Sequence, residues 1–522
     1  MPNMRKSERK PLSFSTTMRN PARIAAFLNC LLPFEGQILT NEIIYQVIKK
    51  IIQEKIYYTM YILKNPQLKA KFDSEEEFSE EEIEDIIKNS PQDHKEAGFD
   101  KGWPSRFDTW YKLPMEFGFI FYEMNSPILF SATGHMLIDS YNEKPINYKK
   151  IQNVFLNSLI KYQTNNPFRK NLNFNAPLIL LLQTIYLFKT EGKYLNGIQR
   201  IELPLLICYP NNNARGLYLL IQELRKAHGF HISEEIIYEK CLELLEATPQ
   251  QRNRFKIEQI TGEAVDEFIR KMRITGIISL RGNGRFVDFN SFESKKINYI
   301  LEHYSNYTSY TNKRSFFEYM GSIDNQILTQ EESIPDKEYN KIKQQTLISW
   351  AQSKTKQYIN NELNILSSKK ESKDLVLKVI DRPTRFEFLA SIALKQNFPA
   401  AEILPNYPVD DEGLPTFTAS GGKADIECFD DSSNPLVEVT LMTSKGQAAN
   451  EIPAITRHLT EAISKYPNKR VFSVFIAPMI HTDTKYMIDF SKYKYDVDIL
   501  AFNILEFIKV INNKNRLIDI SI

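Results

Sequence analysis

The most constraining feature of the sequence is an alternation of strand-like and helical segments near its C-terminus. Two short apolar runs, near Ala424–Phe429 and Leu436–Leu441, are separated by a turn. An amphipathic helix is predicted over Glu451–Lys465, and a strongly apolar strand over Val471–Ala477. Elements in this order form layers around a central mixed sheet. We therefore predict an α/β domain over residues 346–522.

The preceding part of the chain is predicted to be helical, with two local hairpins. Residues 104–139 contain a helix-like segment, then Gly118, then two strand-like runs. The same pattern returns at 256–290, where Asn283-Gly284 is a strong hairpin signal. Helix followed by hairpin is typical of a winged helix-turn-helix, although such a module can also bind proteins.

The length of 522 residues allows about three domains. We predict a multi-domain α+β architecture with winged-helix-like DNA-recognition subdomains at 1–150 and 151–290, a polar helical linker at 291–345 and the α/β domain at 346–522.

Positive charge is concentrated locally rather than globally. The net charge is only +2, but residues 251–300 contain ten Lys and Arg against six Asp and Glu. Such segregation favours a surface that contacts DNA phosphate. For each basic residue the alternatives are a solvated helix face or a phosphate contact that reads no sequence. The candidate DNA contacts are Arg106 and Lys112 in the first module and Arg270, Lys271, Arg273, Arg281 and Arg285 in the second.

Several other classes of protein are disfavoured. The longest apolar run, Ala176–Phe188, is too short to span a membrane. The four cysteines are far apart and form no CxxC pair, which argues against a disulfide framework or a zinc site. No P-loop and no HEXXH motif is present. These features predict a soluble, reduced, cytoplasmic protein without a membrane partner.

Two acids in the strand-like runs are the candidates for chemistry. Asp425 begins the first run, and Glu438 lies in the second between Val437 and Val439. On adjacent antiparallel strands they could face each other and hold Mg²⁺, which activates water for phosphodiester hydrolysis. The alternative is an edge strand on which Glu438 is simply solvated, and these residues alone do not decide between the two.

The PD-(D/E)xK nuclease superfamily has an Asp, a hairpin turn and then a Glu-x-Lys motif. The arrangement of Asp425 and Glu438 resembles this pattern, except that Thr440 occupies the lysine position. Together with Leu436–Thr440 and the downstream Glu451-Ile452-Pro453 and Arg457-His458-Leu459, the pattern resembles the AlwI-type family of type IIS restriction endonucleases. The resemblance is specific over about residues 380–480 and weaker at Arg19–Arg23.

The resemblance implies a set of functional residues. Taken alone, Glu387 would be a surface helix acid and His458 a structural histidine, although Glu451 and His458, seven residues apart, share a helix face. Stand-ins for the missing lysine are His458, Lys423 and Lys445. The implied catalytic residues are Glu387, Asp425, Glu438, Glu451 and His458, with Glu387, Asp425 and Glu438 as ligands of Mg²⁺.

The resemblance also implies an activity. It suggests a prokaryotic cytoplasmic enzyme that binds double-stranded DNA at an asymmetric site and cuts at a fixed distance outside it. One active site cuts one strand, so cutting both strands would need a transient homodimer or a second catalytic subunit. A strand-specific nicking enzyme, or the large subunit of a heterodimeric restriction enzyme, is therefore an alternative. A repair or transposition nuclease and a non-catalytic, sequence-specific DNA-binding protein are further alternatives.

Overall fold

The computed structural model describes residues 8–14, 21–74, 76–192, 194, 196–330, 332, 334–368 and 370–521. Arg19 and Asn20, part of the weaker resemblance near the N-terminus, lie outside the described residues. Residue contacts divide the chain into two compact units. The first comprises Met1–Ile51, Pro91–Asn142 and Tyr148–Ser333, and the second comprises Ile52–Ser90, Glu143–Asn147 and Ile334–Ile522. The predicted domain boundaries after residues 150, 290 and 345 stay predictions.

Up to residue 333 the described part of the chain is mainly helical. The helices are α1 (Pro21–Leu31), α2 (Asn41–Gln53), α3 (Met60–Lys64), α4 (Pro66–Phe72), α5 (Glu80–Lys88), α6 (Trp103–Glu116), α7 (Ala132–Asn142), α8 (Tyr148–Leu159), α9 (Pro177–Thr190), α10 (Leu203–Ile207), α11 (Ala214–His228), α12 (Glu234–Leu244), α13 (Pro249–Arg254), α14 (Ala264–Arg273), α15 (Ser294–His303), α16 (Lys313–Gly321) and α17 (Asn325–Thr329). The strands are β1 (Ile120–Phe121), β2 (Leu129–Phe130), β3 (Ile198–Gln199), β4 (Ile278–Arg281) and β5 (Phe286–Phe289).

In the structure, each of the two predicted helix-and-hairpin segments contains a helix followed by an antiparallel hairpin. Helix α6 is followed by Gly118, whose φ of +78° suits a glycine, and then by the antiparallel pair β1–β2. Helix α14 is followed by β4 and β5, which form a three-stranded sheet of order β3-β5-β4. That these segments form winged helices stays a prediction.

The pair Thr261-Gly262 predicts a turn between a short helix at Lys256–Ile260 and a longer one at Glu263–Thr275. This prediction is wrong. Residues Glu258–Glu263 form a π-helical segment that leads directly into α14. The Thr261 hydroxyl donates to the carbonyl of Ile257 at 2.8 Å, so this polar side chain is satisfied within the helix. A threonine and a glycine therefore do not interrupt the helix here.

The remaining chain contains the predicted α/β domain. Its helices are α18 (Asp336–Ser353), α19 (Lys356–Leu366), α20 (Arg382–Asn397), α21 (Gly446–Asn450), α22 (Ile452–Lys465), α23 (Thr482–Tyr495) and α24 (Ile504–Asn512). Its strands are β6 (Glu402–Pro405), β7 (Ile426–Phe429), β8 (Ser433–Val439), β9 (Arg470–Ala477) and β10 (Ile499–Asn503).

These five strands form one mixed sheet, which confirms the predicted central mixed sheet. The order is β10-β9-β8-β7-β6, with β6, β7 and β8 antiparallel and β8, β9 and β10 parallel. Helix α22 packs on the sheet through Ile452, Ile455 and Leu459, which recur on one helix face. Burial of this apolar stripe fixes the rotation of α22 and thereby the direction of its other side chains.

The turn between β7 and β8 is shorter than predicted. The sequence predicts a turn over Asp430–Pro435, but β8 already begins at Ser433. One carboxylate oxygen of Asp430 accepts hydrogen bonds from the backbone N–H of Ser432 at 2.8 Å and of Ser433 at 2.6 Å, and so closes the turn within three residues. Pro435 is accommodated inside the strand.

In the described part of the chain, no helix is long and apolar enough to cross a membrane.

Candidate active site

Asp425 and Glu438 are brought together by the register of β7 and β8. The pairs Ile426↔Val437 and Glu427↔Leu436 place Asp425 directly opposite Glu438, and opposed residues share a face of the sheet. The backbone N–H of Val439 donates to Asp425 Oδ2 at 2.8 Å, and the backbone N–H of Asp425 donates to Glu438 Oε2 at 3.3 Å. Backbone groups of the two neighbouring strands therefore fix the direction of both carboxylates.

Glu387 adds a third carboxylate from helix α20. Its side chain is buried, with 4% of its surface exposed, and Oε2 accepts a hydrogen bond from the Ala419 N–H at 2.8 Å. Burial and the charge of Asp425 raise the pKa of Glu387 well above its usual value. Nothing in the local sequence pattern singles out this residue, and only the family resemblance predicted it.

Glu451 and His458 approach the same carboxylates from α22. His458 Nδ1 lies 3.0 Å from Glu438 Oε1, and its Nε2 is buried without a hydrogen-bond partner. Glu451, immediately before α22, has a raised pKa because it is buried, although a hydrogen bond from the Thr440 side chain lowers it in part. Thr440, which stands at the motif lysine position, is thus engaged with Glu451.

The carboxylates destabilise one another's charged forms. Burial raises the pKa of Glu438 to about 8, and the charge of Glu451 adds to the effect. Burial and the charge of Glu438 raise the pKa of Asp425 well above its usual value. Burial lowers the pKa of His458, so a neutral imidazole faces these acids. For Glu387, Asp425 and Glu438, the groups that lower the pKa are backbone N–H donors rather than cationic side chains.

This set of donors fits a hard divalent cation. Buried carboxylates that repel one another lack a positive charge, and Mg²⁺ prefers oxygen ligands. Across the residues that the structure describes, no group of three or more His, Cys, Asp or Glu side chains is arranged to enclose an ion as it stands. The acids are instead held by the N–H groups of Val439, Ala419 and Asp425.

Lys343 is a buried cation beside β6, and the sequence patterns did not indicate it. It lies on α18, with 8% of its surface exposed, and its Nζ donates to the carbonyl of Pro405 at 3.1 Å. Burial, and then the charge of Lys423, lower its pKa to about 8. Lys423 is exposed in the loop before Asp425, and Lys445 is partly exposed before α21. The sequence placed Lys343 in a polar linker, where a lysine carries no signal.

The predicted DNA contacts in the first module have partners within the protein. Arg106 Nη1 lies 2.7 Å from His94 Nε2, and its guanidinium lies 5.4 Å from the centre of the Trp110 ring. Lys112 pairs with Glu96 at 3.2 Å. Both residues lie on α6, most of which is buried.

The predicted contacts in the second module differ in exposure. Lys271 and Arg273 are buried, with 3% and 8% of their surfaces exposed. Arg270 pairs with Glu267 at 2.6 Å, and Arg281 pairs with Asp288 at 2.9 Å. Arg285 is exposed beside the β4–β5 turn. All seven DNA contacts stay predictions, and among the five of this module Arg285 is the exposed one.

Family comparison identifies the chain. The family described as AlwI restriction endonuclease matches residues 115–361 and 331–510. The chain belongs to the AlwI restriction endonuclease family. As an AlwI-family member it is a site-specific DNA endonuclease, a hydrolase that acts on DNA. Glu387, Asp425, Glu438, Glu451 and His458 all lie within the second matched segment.

Other similarities to this AlwI-family chain are weak. A search of curated proteins returned no match. The small subunit (R.BspD6I2) of the heterodimeric restriction endonuclease R.BspD6I is 23% identical over 29% of this chain and 76% of its own, with a TM-score of 0.25. Restriction endonuclease FokI is 11% identical over 99% of this chain and 97% of its own, with a TM-score of 0.24. TM-scores this low do not support a conclusion about fold or function, so the family membership rests on the family match.

Proposed function

We propose that this AlwI-family chain is a type IIS restriction endonuclease that uses Mg²⁺ to cut DNA at a fixed distance outside an asymmetric site. The observation that carries the proposal is the convergence of three carboxylates, of which Glu387 and Glu438 are buried and Asp425 is partly buried. Among the described residues, no cationic side chain is among the groups that lower their pKa values. A non-catalytic DNA-binding protein would have no use for this costly arrangement.

The same three residues would hold the ion. A bound Mg²⁺ lowers the pKa of water and offsets the charge that builds on the phosphate. Asp425 and Glu438 supply oxygens from two adjacent strands, and Glu387 supplies oxygens from α20. Their backbone hydrogen bonds hold the carboxylates in defined directions, which limits the reorganisation needed during the reaction.

His458 is suited to proton transfer beside the acids. Its Nδ1 is anchored to Glu438, and its neutral Nε2 is buried without a partner. A neutral imidazole nitrogen can accept a proton from water or, once protonated, donate to a phosphate oxygen. Thr440 cannot neutralise the phosphate, so His458 would do part of that work, with Lys423 and Lys445 as the other candidates.

Sequencing the cut ends of a supercoiled plasmid tests the proposed function. With Mg²⁺ we expect cuts at one fixed offset from one asymmetric sequence, and with EDTA no cuts. Persistent open circles identify a strand-specific nicking enzyme or a large subunit that needs a second subunit, whereas linear product identifies cutting of both strands. Cuts at scattered sequences would instead indicate a repair-type nuclease.

Replacing His458 by glutamine should lower the cleavage rate by about 10² to 10⁴-fold, because the proton-accepting nitrogen is lost. Glutamine keeps an amide donor for Glu438, so folding should be unaffected. His481→Gln is the matched control, since His481 caps α23 through its side chain and lies outside the acid cluster. Single-turnover rates measure both, and a near-normal rate for His458→Gln would exclude the proposed role.

Replacing Arg285 by alanine should weaken DNA binding, because this exposed cation beside the hairpin is removed. If Arg285 contacts phosphate, the variant binds every DNA sequence more weakly. The slope of log affinity against log salt concentration then becomes shallower by about one unit, because one counterion fewer is released. If it reads a base, discrimination at one position falls by about 1–3 kcal/mol and Arg285→Lys does not restore it. Titrations of cognate and unrelated duplexes at several salt concentrations separate these results, and unchanged binding would remove Arg285 from the interface.

A further inference from the structure

Helix α13 is a short helix whose solvent-facing side chains are amides and cations. Residues 248–257 contain three Lys or Arg and no acid, although the whole chain has nearly equal numbers, 66 Lys and Arg and 64 Asp and Glu. Gln250 and Asn253 are exposed and lie three residues apart, so they share one face of the helix. In the described part of the chain, neither amide has a hydrogen-bond partner. We call these two residues the amide pair.

The backbone of α13 is held at both ends. At its start, the Gln251 N–H donates to the Thr248 hydroxyl at 3.4 Å, and the Thr248 N–H donates to Gln251 Oε1 at 2.8 Å, which is a capping box. Just beyond its end, the Tyr238 hydroxyl donates to the carbonyl of Phe255 at 2.7 Å. The side-chain amide of Gln251 also donates to Glu8 at 2.6 Å. The third amide of the helix is therefore used inside the protein, whereas the amide pair extends into solvent from a fixed backbone.

Arg254 places a positive charge beside the amide pair. It follows Gln250 by four residues, so it lies on the same helix face, and half of its side-chain surface is exposed. Its guanidinium is 2.8 Å from Glu8 Oε1 and 4.7 Å from the centre of the Phe255 ring. Burial raises the pKa of Glu8, but hydrogen bonds from Arg254 and Gln251 lower it to about 2, so an ionised carboxylate holds the arginine at neutral pH. A positioned, half-exposed guanidinium suits a contact to DNA phosphate.

A site-specific endonuclease has to contact the edges of bases, and the side chains of α14 offer little for this. Lys271 and Arg273 on α14 are buried, and Arg270 is paired with Glu267. An Asn or Gln amide combines one donor group with one acceptor, which matches the N7 acceptor and N6 donor of adenine in the major groove. Cations alone would serve for phosphate, so two neighbouring amides indicate base contacts. The six residues of α13 span about 9 Å, which fits a major groove about 12 Å wide.

We propose that α13 enters the major groove of the recognition site, where Gln250 and Asn253 read adenines and Arg254 contacts a neighbouring phosphate. The inference deepens the proposed function and rests on it for the existence of one fixed recognition sequence. The amide pair determines specificity, whereas Glu8 positions the helix and its arginine. Because α13 belongs to the first compact unit and the acid cluster to the second, sequence reading can be measured without cleavage.

Selection of bound sequences from a pool of random DNA duplexes tests the proposal. The full-length protein binds the pool in EDTA, and the retained duplexes are sequenced. The wild type should enrich one asymmetric sequence that contains A·T pairs. Gln250→Ala and Asn253→Ala should each enrich the same sequence with the base preference lost at one or two adjacent A·T pairs. Each variant should bind the wild-type sequence about 10- to 100-fold more weakly and unrelated duplexes equally well.

Gln352→Ala is the matched control, since Gln352 is an exposed amide on α18 in the second compact unit, and it should select the wild-type sequence. Unchanged affinity for unrelated duplexes shows that the variants are folded. Variants that keep every base preference would overturn the proposal, as would an equal loss of affinity for all sequences or a wild type that enriches no sequence. A wild type that enriches a sequence but does not cut at a fixed distance from it with Mg²⁺ would contradict the proposed function and leave this inference intact, so the two failures are distinguishable.

Discussion

Replacing Asp425 by asparagine is expected to lower DNA cleavage by roughly 10³-fold while leaving sequence-specific binding unchanged. Asparagine keeps an oxygen that can accept the hydrogen bond from the Val439 N–H. It removes the negative charge through which Asp425 would hold Mg²⁺. Because that charge also repels Glu438 and Glu387, the variant should unfold at a higher temperature than the wild type in the absence of metal.

Three measurements test these expectations: the single-turnover cleavage rate, the affinity for DNA and the unfolding temperature without metal. Glu427→Gln is the matched control, since Glu427 is the next acid along the strand, two residues after Asp425, and accepts a hydrogen bond from Asn406 at 3.3 Å. The control should cleave at a near-normal rate. An Asp425→Asn protein that still cuts at the wild-type rate would remove the acid pair from the mechanism.

Mg²⁺ is expected to stabilise the folded protein much more at pH 8 than at pH 5. The pKa of Glu438 is raised by burial from 4.5 to about 8 in the folded chain. Between these values the folded state retains a proton that the unfolded state has released. The metal-free protein therefore loses free energy of unfolding as the pH rises from about 4.5, and the loss levels off above about 8. A bound cation favours the ionised carboxylates and removes this penalty.

Thermal unfolding with and without Mg²⁺ over this pH range measures the effect. Glu438→Gln removes the titrating group, so its metal-free stability should depend less on pH and its response to Mg²⁺ should be weaker. An equal stabilisation by Mg²⁺ at pH 5 and pH 8 would contradict metal binding by protonatable carboxylates.

Much of the central sheet could be predicted from local pattern. Apolar runs of strand length around a turn indicate β7 and β8, and the repeat of Ile452, Ile455 and Leu459 indicates α22. Once the two strands are antiparallel neighbours, pairing in register places Asp425 opposite Glu438. The sequence does not show the length of the turn, because Asp430 closes it with side-chain hydrogen bonds that periodicity does not reveal.

The burial of the other site and basic residues could not be predicted, because it depends on which elements pack against their helices. Helix α20 is buried over nearly all of its middle, so it has no distinct polar face that would single out Glu387. The sequence predicts that Lys343 lies in a polar helical linker, but its helix packs where Nζ reaches the Pro405 carbonyl. Lys271 and Arg273 occur in a basic run that suggests an exposed face, yet tertiary packing buries both. The periodicity of a sequence identifies the apolar face of a helix, but it does not show which other element packs against the helix.

The three-residue turn after β7 has a consequence for how this chain tolerates changes in length. Insertions in surface turns are ordinarily among the mildest changes, because loop closure costs little. Here one added or deleted residue that shifted the pairing of β7 and β8 by one position would send Asp425 and Glu438 to opposite faces of the sheet. Apart from Asp430, whose carboxylate closes it, the composition of this small turn is open to variation, but its residue count is tied to the chemistry on the neighbouring strands.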